Sequence, residues 1–379
     1  MNVLLAIPCL MRGGTEMQTL YLAKALLAGG YEVHTVCYFE FDPLVVDDFI
    51  LAGSNVSLLK LKRSVTSREF IRIMRDFYRA SKPDVLHVQY MTPGALSIVA
   101  AKLAGLSKIF ATVHQPYTKN HGLKSLLFLR TSALLCDRFI AVSMIAELSW
   151  FGSSNNFTDE TCGTFPRHLT LYNAVDTSRV IALSGLERAE ELKNRYLLSG
   201  SFVFGYIGRL SHEKGVDILL DAFAQVAPGR DDVRLLIVGA GPEMANLEVR
   251  YGQECWWNKI VFTGGQTWEN AMSHLSAIDV VVVPSRFEGF GLSAVEAMAA
   301  SKPVIAAKTG GLMEIVEHNR SGLLFDRGNC NELASLMVTL LNDGNKCKEL
   351  SLNARLRADD FDMSHFVRKI HNLYMMEMQ

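Results

Sequence analysis

Short runs rich in Val, Ile and Leu recur at residues 3–7, 33–39, 56–61, 85–89, 108–113 and 139–143, with helical patterns between them. A run that is apolar at every position leaves no face for water. Each therefore predicts a strand covered on both sides, and the intervening helices predict a parallel sheet. The pattern restarts at residues 202–207, 234–238, 259–263, 280–284 and 304–307. Two doubly wound α/β domains are expected, with ligands at the carboxyl ends of the strands.

Between the two series, residues 152–167 are polar and predict a surface loop of the first domain. A strand at 169–172 then leads into Asn173-Ala-Val-Asp176, read as a structural turn between domains. The first domain is placed at residues 1–180 and the second at 181–362. Beyond Asp362, which can cap a helix, Phe366, Val367, Ile370, Leu373 and Tyr374 share one helical face.

The bulk properties fit this division. A chain of 379 residues exceeds the roughly 150 residues of a usual domain, and with 49% hydrophobic and 20% charged residues each half can bury a core. Net charge is −1, but residues 1–179 hold 18 Lys and Arg against 14 Asp and Glu, and the remainder 20 against 25. No nucleic-acid partner is expected. The basic excess gathers between Lys60 and Lys82, where it would suit an anionic surface or equally a solvated helix face. Seven widely spaced cysteines, Cys162 among them, include no Cys-x-x-Cys pair, so neither a disulfide framework nor a zinc site is expected. The first residues lack the basic region of a signal peptide, and no apolar stretch reaches the roughly 20 residues of a membrane span. A cytoplasmic protein is expected, and any membrane contact is peripheral. The sequons at Asn55, Asn156 and Asn319 are then chance matches.

Several loops after strands could carry chemistry. Gly13 and Gly14 open a helix, where main-chain N–H groups and the helix dipole favour an anion; alone, the pair fits a tight turn as well. Residues 208–215, Gly-Arg-Leu-Ser-His-Glu-Lys-Gly, place Arg209 and Lys214 where they could converge on a phosphate, or stand as solvated surface cations. In Pro284-Ser-Arg-Phe-Glu-Gly-Phe-Gly-Leu-Ser-Ala-Val-Glu296, a buried strand meets a loop and a helix. There the N–H groups of Gly289, Phe290, Gly291 and Leu292 would face a ligand flanked by Glu288 and Glu296. Glu296 lies in an apolar helix, which calls for a partner or a ligand. The glycines of Thr309-Gly-Gly311 would admit a ligand or make an ordinary turn. His114, at a strand end, could bond a substrate hydroxyl or the main chain.

Taken together, Gly13-Gly-Thr-Glu16, His114, Asn173-Ala-Val-Asp176, the Arg209 and Lys214 loop, Gly239-Ala-Gly-Pro242, Phe262-Thr-Gly264, Glu288 to Glu296, Gly310-Gly311 and Gly322-Leu-Leu-Phe325 resemble glycosyltransferase family 4. The resemblance covers nearly the whole chain. It implies a retaining enzyme of GT-B fold, two Rossmann-like domains facing a cleft, with residues 363–379 returning to the first. It implies a nucleotide-sugar donor, UDP-linked first and GDP-mannose second, and a glycan or lipid-linked oligosaccharide acceptor in bacterial surface polysaccharide assembly, at the inner face of a membrane. Residue by residue, Arg209 and Lys214 would meet the pyrophosphate with Gly13, Gly14 and the N–H groups near Phe290 to Leu292. Glu296 would accept from the ribose, Glu288 from the hexose, and His114 would support the sugar. No cofactor or metal is implied, and Asp360-Phe-Asp362 is read as a coincidental Asp-x-Asp.

The His114-Gln-Pro-Tyr117 sequence and Ser293 depart from the family's usual pattern. The alternatives on this fold are a nucleotide-sugar epimerase and a non-catalytic nucleotide-sugar-binding partner subunit; a nicotinamide enzyme lacks its glycine fingerprint.

Overall fold

The computed structural model describes residues 1–91, 93–118, 121–158, 166–185 and 187–376. Cys162 and the middle of the polar loop, residues 159–165, lie outside the described residues. Two compact units result, one made of Met1–Ala174 with Met363–Gln379 and the other of Val175–Asp362.

The first unit is built on seven parallel strands: β1 (Asn2–Ile7), β2 (Glu32–Cys37), β3 (Asn55–Leu58), β4 (Val85–Tyr90), β5 (Ile109–Val113), β6 (Arg138–Ala141) and β7 (His168–Thr170), in the order β3-β2-β1-β4-β5-β6-β7. β1 explains why its sequence carries no alternation. Val3, Leu5 and Ile7 enter a core closed by the helix Gly14–Ala28 and the C-terminal helix, while Leu4 and Ala6 enter a second core on the opposite face with Phe70, Met74 and Tyr78. Side chains alternate along a strand, so burying both sets requires helices on both faces.

The C-terminal helix, Met363–Met376, belongs to this unit, as expected. It buries Phe366, Ile370, Leu373 and Tyr374, and the Tyr374 hydroxyl lies 2.7 Å from His87 Nδ1 on β4. Asp362 accepts from Thr177 Oγ1 at 2.6 Å.

The second unit repeats the plan with six parallel strands: β8 (Phe202–Ile207), β9 (Val233–Val238), β10 (Ile260–Phe262), β11 (Val280–Val283), β12 (Val304–Ala307) and β13 (Leu323–Phe325), in the order β10-β9-β8-β11-β12-β13. Chain order reverses between β8 and β11, and this switch point opens a crevice at their carboxyl ends.

The boundary between units falls at Ala174, ahead of the Val180 expected from sequence. The cause is the helix Thr177–Leu183: capped by Asp176, which accepts from Arg179 N at 2.9 Å, it packs on helices of the second unit. Ala174 is instead gripped by the first unit, its N–H and C=O both bonded to the buried Gln18 amide at 2.9 and 2.7 Å.

Candidate functional site

In the second unit the loops after β8, β11 and β12 lie at one edge of the sheet because all three strands run parallel. Their backbones touch. A Cβ on Gly310, whose φ is +50°, would stand 1.7 Å from the Glu288 carbonyl oxygen, and one on Gly215, at φ +68°, would stand 2.2 Å from that of Pro284. Only glycine permits both the left-handed backbone and the close approach. The glycines of the β12 loop therefore admit the neighbouring loop's main chain; Gly311 likewise lies against Phe290.

These contacts bring together residues 74 apart in sequence. Lys214 Nζ lies 2.7 Å from Glu288 Oε2, and Ser285 Oγ donates to the same oxygen at 3.0 Å. Lys214 and Glu288, assigned by sequence to different parts of a ligand, thus form one polar cluster. Arg209 is more open: its guanidinium is 3.6 Å from Glu213, with 70% of the side chain exposed.

Glu296, on the helix Leu292–Ala299, has the partner its apolar surroundings call for. Trp268 Nε1 donates to its Oε1 at 2.7 Å. Burial raises the Glu296 pKa, and the indole hydrogen bond offsets part of that rise. Gly291 is the helix N-cap at φ +121°; its carbonyl accepts from Ala294 N at 3.0 Å, while the N–H groups of Leu292 and Ser293 have no preceding turn to bond. Phe290 contributes only main chain, since its ring is buried against Phe361 at 5.5 Å between centroids.

Two residues here escaped the sequence reading. Trp268 is one. Arg286 is the other: it makes paired bonds of 2.7 and 2.6 Å to Asp217 and a further bond to the His212 carbonyl at 2.9 Å, clamping the β8 loop to the β11 loop. Burial alone would push the Asp217 carboxyl up, but the Arg286 hydrogen bonds and charge outweigh it and hold the carboxyl below its usual range.

In the first unit, Gly14 begins the helix and Gly13 is its N-cap with extended backbone. A Cβ on Gly13 would meet the Glu16 carboxylate at 2.5 Å, and Cys9 Sγ donates to that carboxylate at 3.4 Å. His114 follows β5 and lies 2.7 Å through Nε2 from Gln89 Oε1. With the ring donating to Gln89, its Nδ1 remains an acceptor. Burial lowers the His114 pKa to about 4 and that of His87, behind it, to about 3, so both rings are neutral near pH 7. Gln89 is 1% exposed, and a cavity of about 20 Å³ lies among Gln89, His87, His114 and Thr112. Gln89 also went unread, because an isolated amide carries no spacing signal.

Two cations of the basic stretch are seen in ion pairs. Arg63 pairs with Glu40 at 2.6 Å and Arg75 with Asp76 at 2.7 Å. Asp360 pairs with Arg357 at 2.6 Å. Among the described residues no helix is long and apolar enough to cross a membrane.

Comparison with known proteins adds the family. The profile of Glycosyltransferase Family 4 matches residues 12–147, and that of Glycosyl transferases group 1 matches residues 188–357. A 2-deoxystreptamine glucosyltransferase of Streptomyces kanamyceticus is 35% identical over 51% of this chain, a stretch spanning 50% of that relative. An uncharacterized glycosyltransferase of Methanocaldococcus jannaschii is 27% identical over 96% of this chain and 94% of its own length. In fold, the crystal structure of Anabaena HepE in complex with UDP superposes with a TM-score of 0.81 at 23% identity, covering 99% of this chain and 100% of that one. With two parallel Rossmann-like sheets and profiles matched in both units, the chain belongs to glycosyltransferase family 4, the glycosyl transferases group 1, of GT-B fold.

Proposed function

We propose that this chain is a retaining, metal-independent hexosyltransferase that moves a sugar from a nucleoside-diphosphate donor to a hydroxyl of a glycan or lipid-linked acceptor in surface polysaccharide assembly. UDP-sugars are the favoured donors and GDP-mannose the second. The observation that carries the reading is the cluster at the β8/β11 switch point: Lys214 on Glu288 at 2.7 Å, beside a helix N-terminus whose first turns carry Glu296. The UDP complex of Anabaena HepE supports the choice of base.

The chemistry asks for these groups. As the bond between the anomeric carbon and the pyrophosphate oxygen breaks, negative charge grows on the leaving group, and preorganised cations and N–H dipoles stabilise it most in the transition state. Arg209, Lys214 and the N–H groups at Gly291 and Leu292 fill that role, and in the first unit Gly13 and Gly14 offer the same kind of helix start. Glu296, oriented by Trp268, accepts from the ribose hydroxyls. Glu288 accepts from the hexose and leaves the anomeric carbon to the acceptor oxygen, which attacks from the side of the leaving group while its proton passes to a donor phosphate oxygen. His114, neutral and with Nδ1 free to accept, orients a sugar hydroxyl.

Slow hydrolysis of UDP-α-glucose by the enzyme, followed by proton NMR in EDTA, tests this. The α-anomer of glucose is expected first, at an undiminished rate. Early release of the β-anomer, or loss of turnover in EDTA, contradicts the proposal.

A further inference from the structure

We propose that the helix Gly122–Leu134 is the face with which the first unit rests on an anionic lipid bilayer, a surface that deepens, and rests on, the reading of a membrane-borne acceptor. A helix on a sheet normally turns charge outward. This one does not. Its inner side buries Leu129, Ser132 and Ala133, while on its outer side Leu123, Leu127, Phe128 and Leu134 are 80, 65, 64 and 67% exposed. Residues 123, 127 and 134 follow helical spacing, and Phe128 lies beside them, so the four form one patch of the kind that marks an interaction surface.

The charge around the patch selects the occupant. Residues 121–136 contain no Asp or Glu. Lys124 is exposed on the helix; Arg130 is anchored through Nε to the Trp150 carbonyl at 2.7 Å, and Arg167 through Nη1 to the Leu134 carbonyl at 2.7 Å. A groove of about 410 Å³ beside the helix is lined by Leu127, Leu134, Phe151, Arg130, Arg167 and His168, with no carboxylate among the described residues that line it. Apolar side chains beside Lys124, Arg130 and Arg167 suit the boundary between acidic headgroups and acyl chains. A second copy packed by a two-fold axis would set the same cations against one another. The basic helix Ser67–Ser81 makes a useful contrast: Phe70, Met74 and Tyr78 are buried and Ile71, Ile73 and Phe77 half-buried, so it can add attraction to such a surface but has no comparably exposed side chain to insert.

The test is flotation of the full-length protein with phosphatidylcholine vesicles, with and without phosphatidylglycerol. Wild type is expected to float with the anionic vesicles, and Leu127→Ser with Phe128→Ser to lose about tenfold or more in partitioning. Lys124→Glu weakens binding at low salt. Both sites are exposed, so an unchanged melting temperature and unchanged hydrolysis of soluble UDP-sugar confirm an intact fold. Wild type that stays unbound, or a double variant that floats equally well, overturns the proposal, as does a wild-type dimer that the double variant splits. Vesicle binding without any nucleotide-sugar binding leaves the lipid face standing and removes the donor reading instead.

Discussion

At the scale of single residues, Glu296 shows how a burial problem becomes a binding device. A carboxylate in an apolar helix must find a donor, and the Trp268 indole supplies one at 2.7 Å while leaving the second oxygen for a ligand. Trp268→Phe keeps an aromatic ring, smaller than the indole, and deletes the N–H. A hydrogen bond to a charged group is worth about 1.5–3 kcal/mol, so the donor KM is expected to rise about tenfold with little change in kcat; steady-state kinetics in which KM stays put would remove Trp268 from the site. Gly310 carries a different load. With a Cβ 1.7 Å from the Glu288 carbonyl oxygen at φ +50°, Gly310→Ala is expected to cost upwards of about 2 kcal/mol, read as a lowered unfolding midpoint of the second unit.

The same residues show what a sequence displays. Arg209, Lys214 and Glu288 stood out as charged side chains in glycine-containing loops after strands and Glu296 as a carboxylate in an apolar helix, and the resemblance to the family grouped them. Trp268 lies 28 residues from the carboxylate it orients and Asp217 lies 69 from Arg286; nothing local connects them. Gly310 was seen, but its purpose was not, since close approach between loops is a property of the sheet that aligns them.

At the scale of elements, the C-terminal helix is fastened to the first sheet by a histidine. His87 is 1% exposed and bonded to Tyr374 on one side and to Thr112 on the other, each at 2.7 Å. Burial, with a smaller contribution from His114, lowers its pKa to about 3. The folded state therefore resists a proton that the unfolded chain takes up near its ordinary value of about 6.5. Stability is full above that value and drains away as pH falls from about 6.5 towards 3, with His114, at about 4, acting in the same direction. Hydrogen exchange of β4 and of the helix Met363–Met376 is expected to accelerate over that range, and less so in His87→Gln; identical pH profiles would count against the assignment. Most strand positions were readable to within a residue or two because buried parallel strands are continuous apolar runs; β3, half-exposed, ends at Leu58, three residues before its predicted end. β13 was not read as a strand, although β7 and β10, equally short, were.

At the scale of the whole molecule, one strand order occurs twice, each time with the crossover beside the first strand of the set. Alternating apolar runs and helices dictate such a sheet almost by themselves, which is why the fold class was legible in full. The boundary at Ala174 was not, because it depends on which core receives the helix Thr177–Leu183. Family membership rests on both units, each matched by its own profile. The central claim is narrower: that the cluster of Lys214, Glu288 and Glu296 binds a nucleoside-diphosphate sugar.

One measurement reaches that claim most directly: thermal unfolding of wild type, Lys214→Ala and Glu296→Ala against a panel of UDP-sugars and GDP-mannose. A ligand held at about 100 times its Kd adds about 2.7 kcal/mol to the state that binds it. At least one donor is expected to raise the melting temperature of wild type by several degrees and to leave both variants nearly unmoved. Wild type that no donor stabilises, or variants stabilised as fully as wild type, would contradict the account.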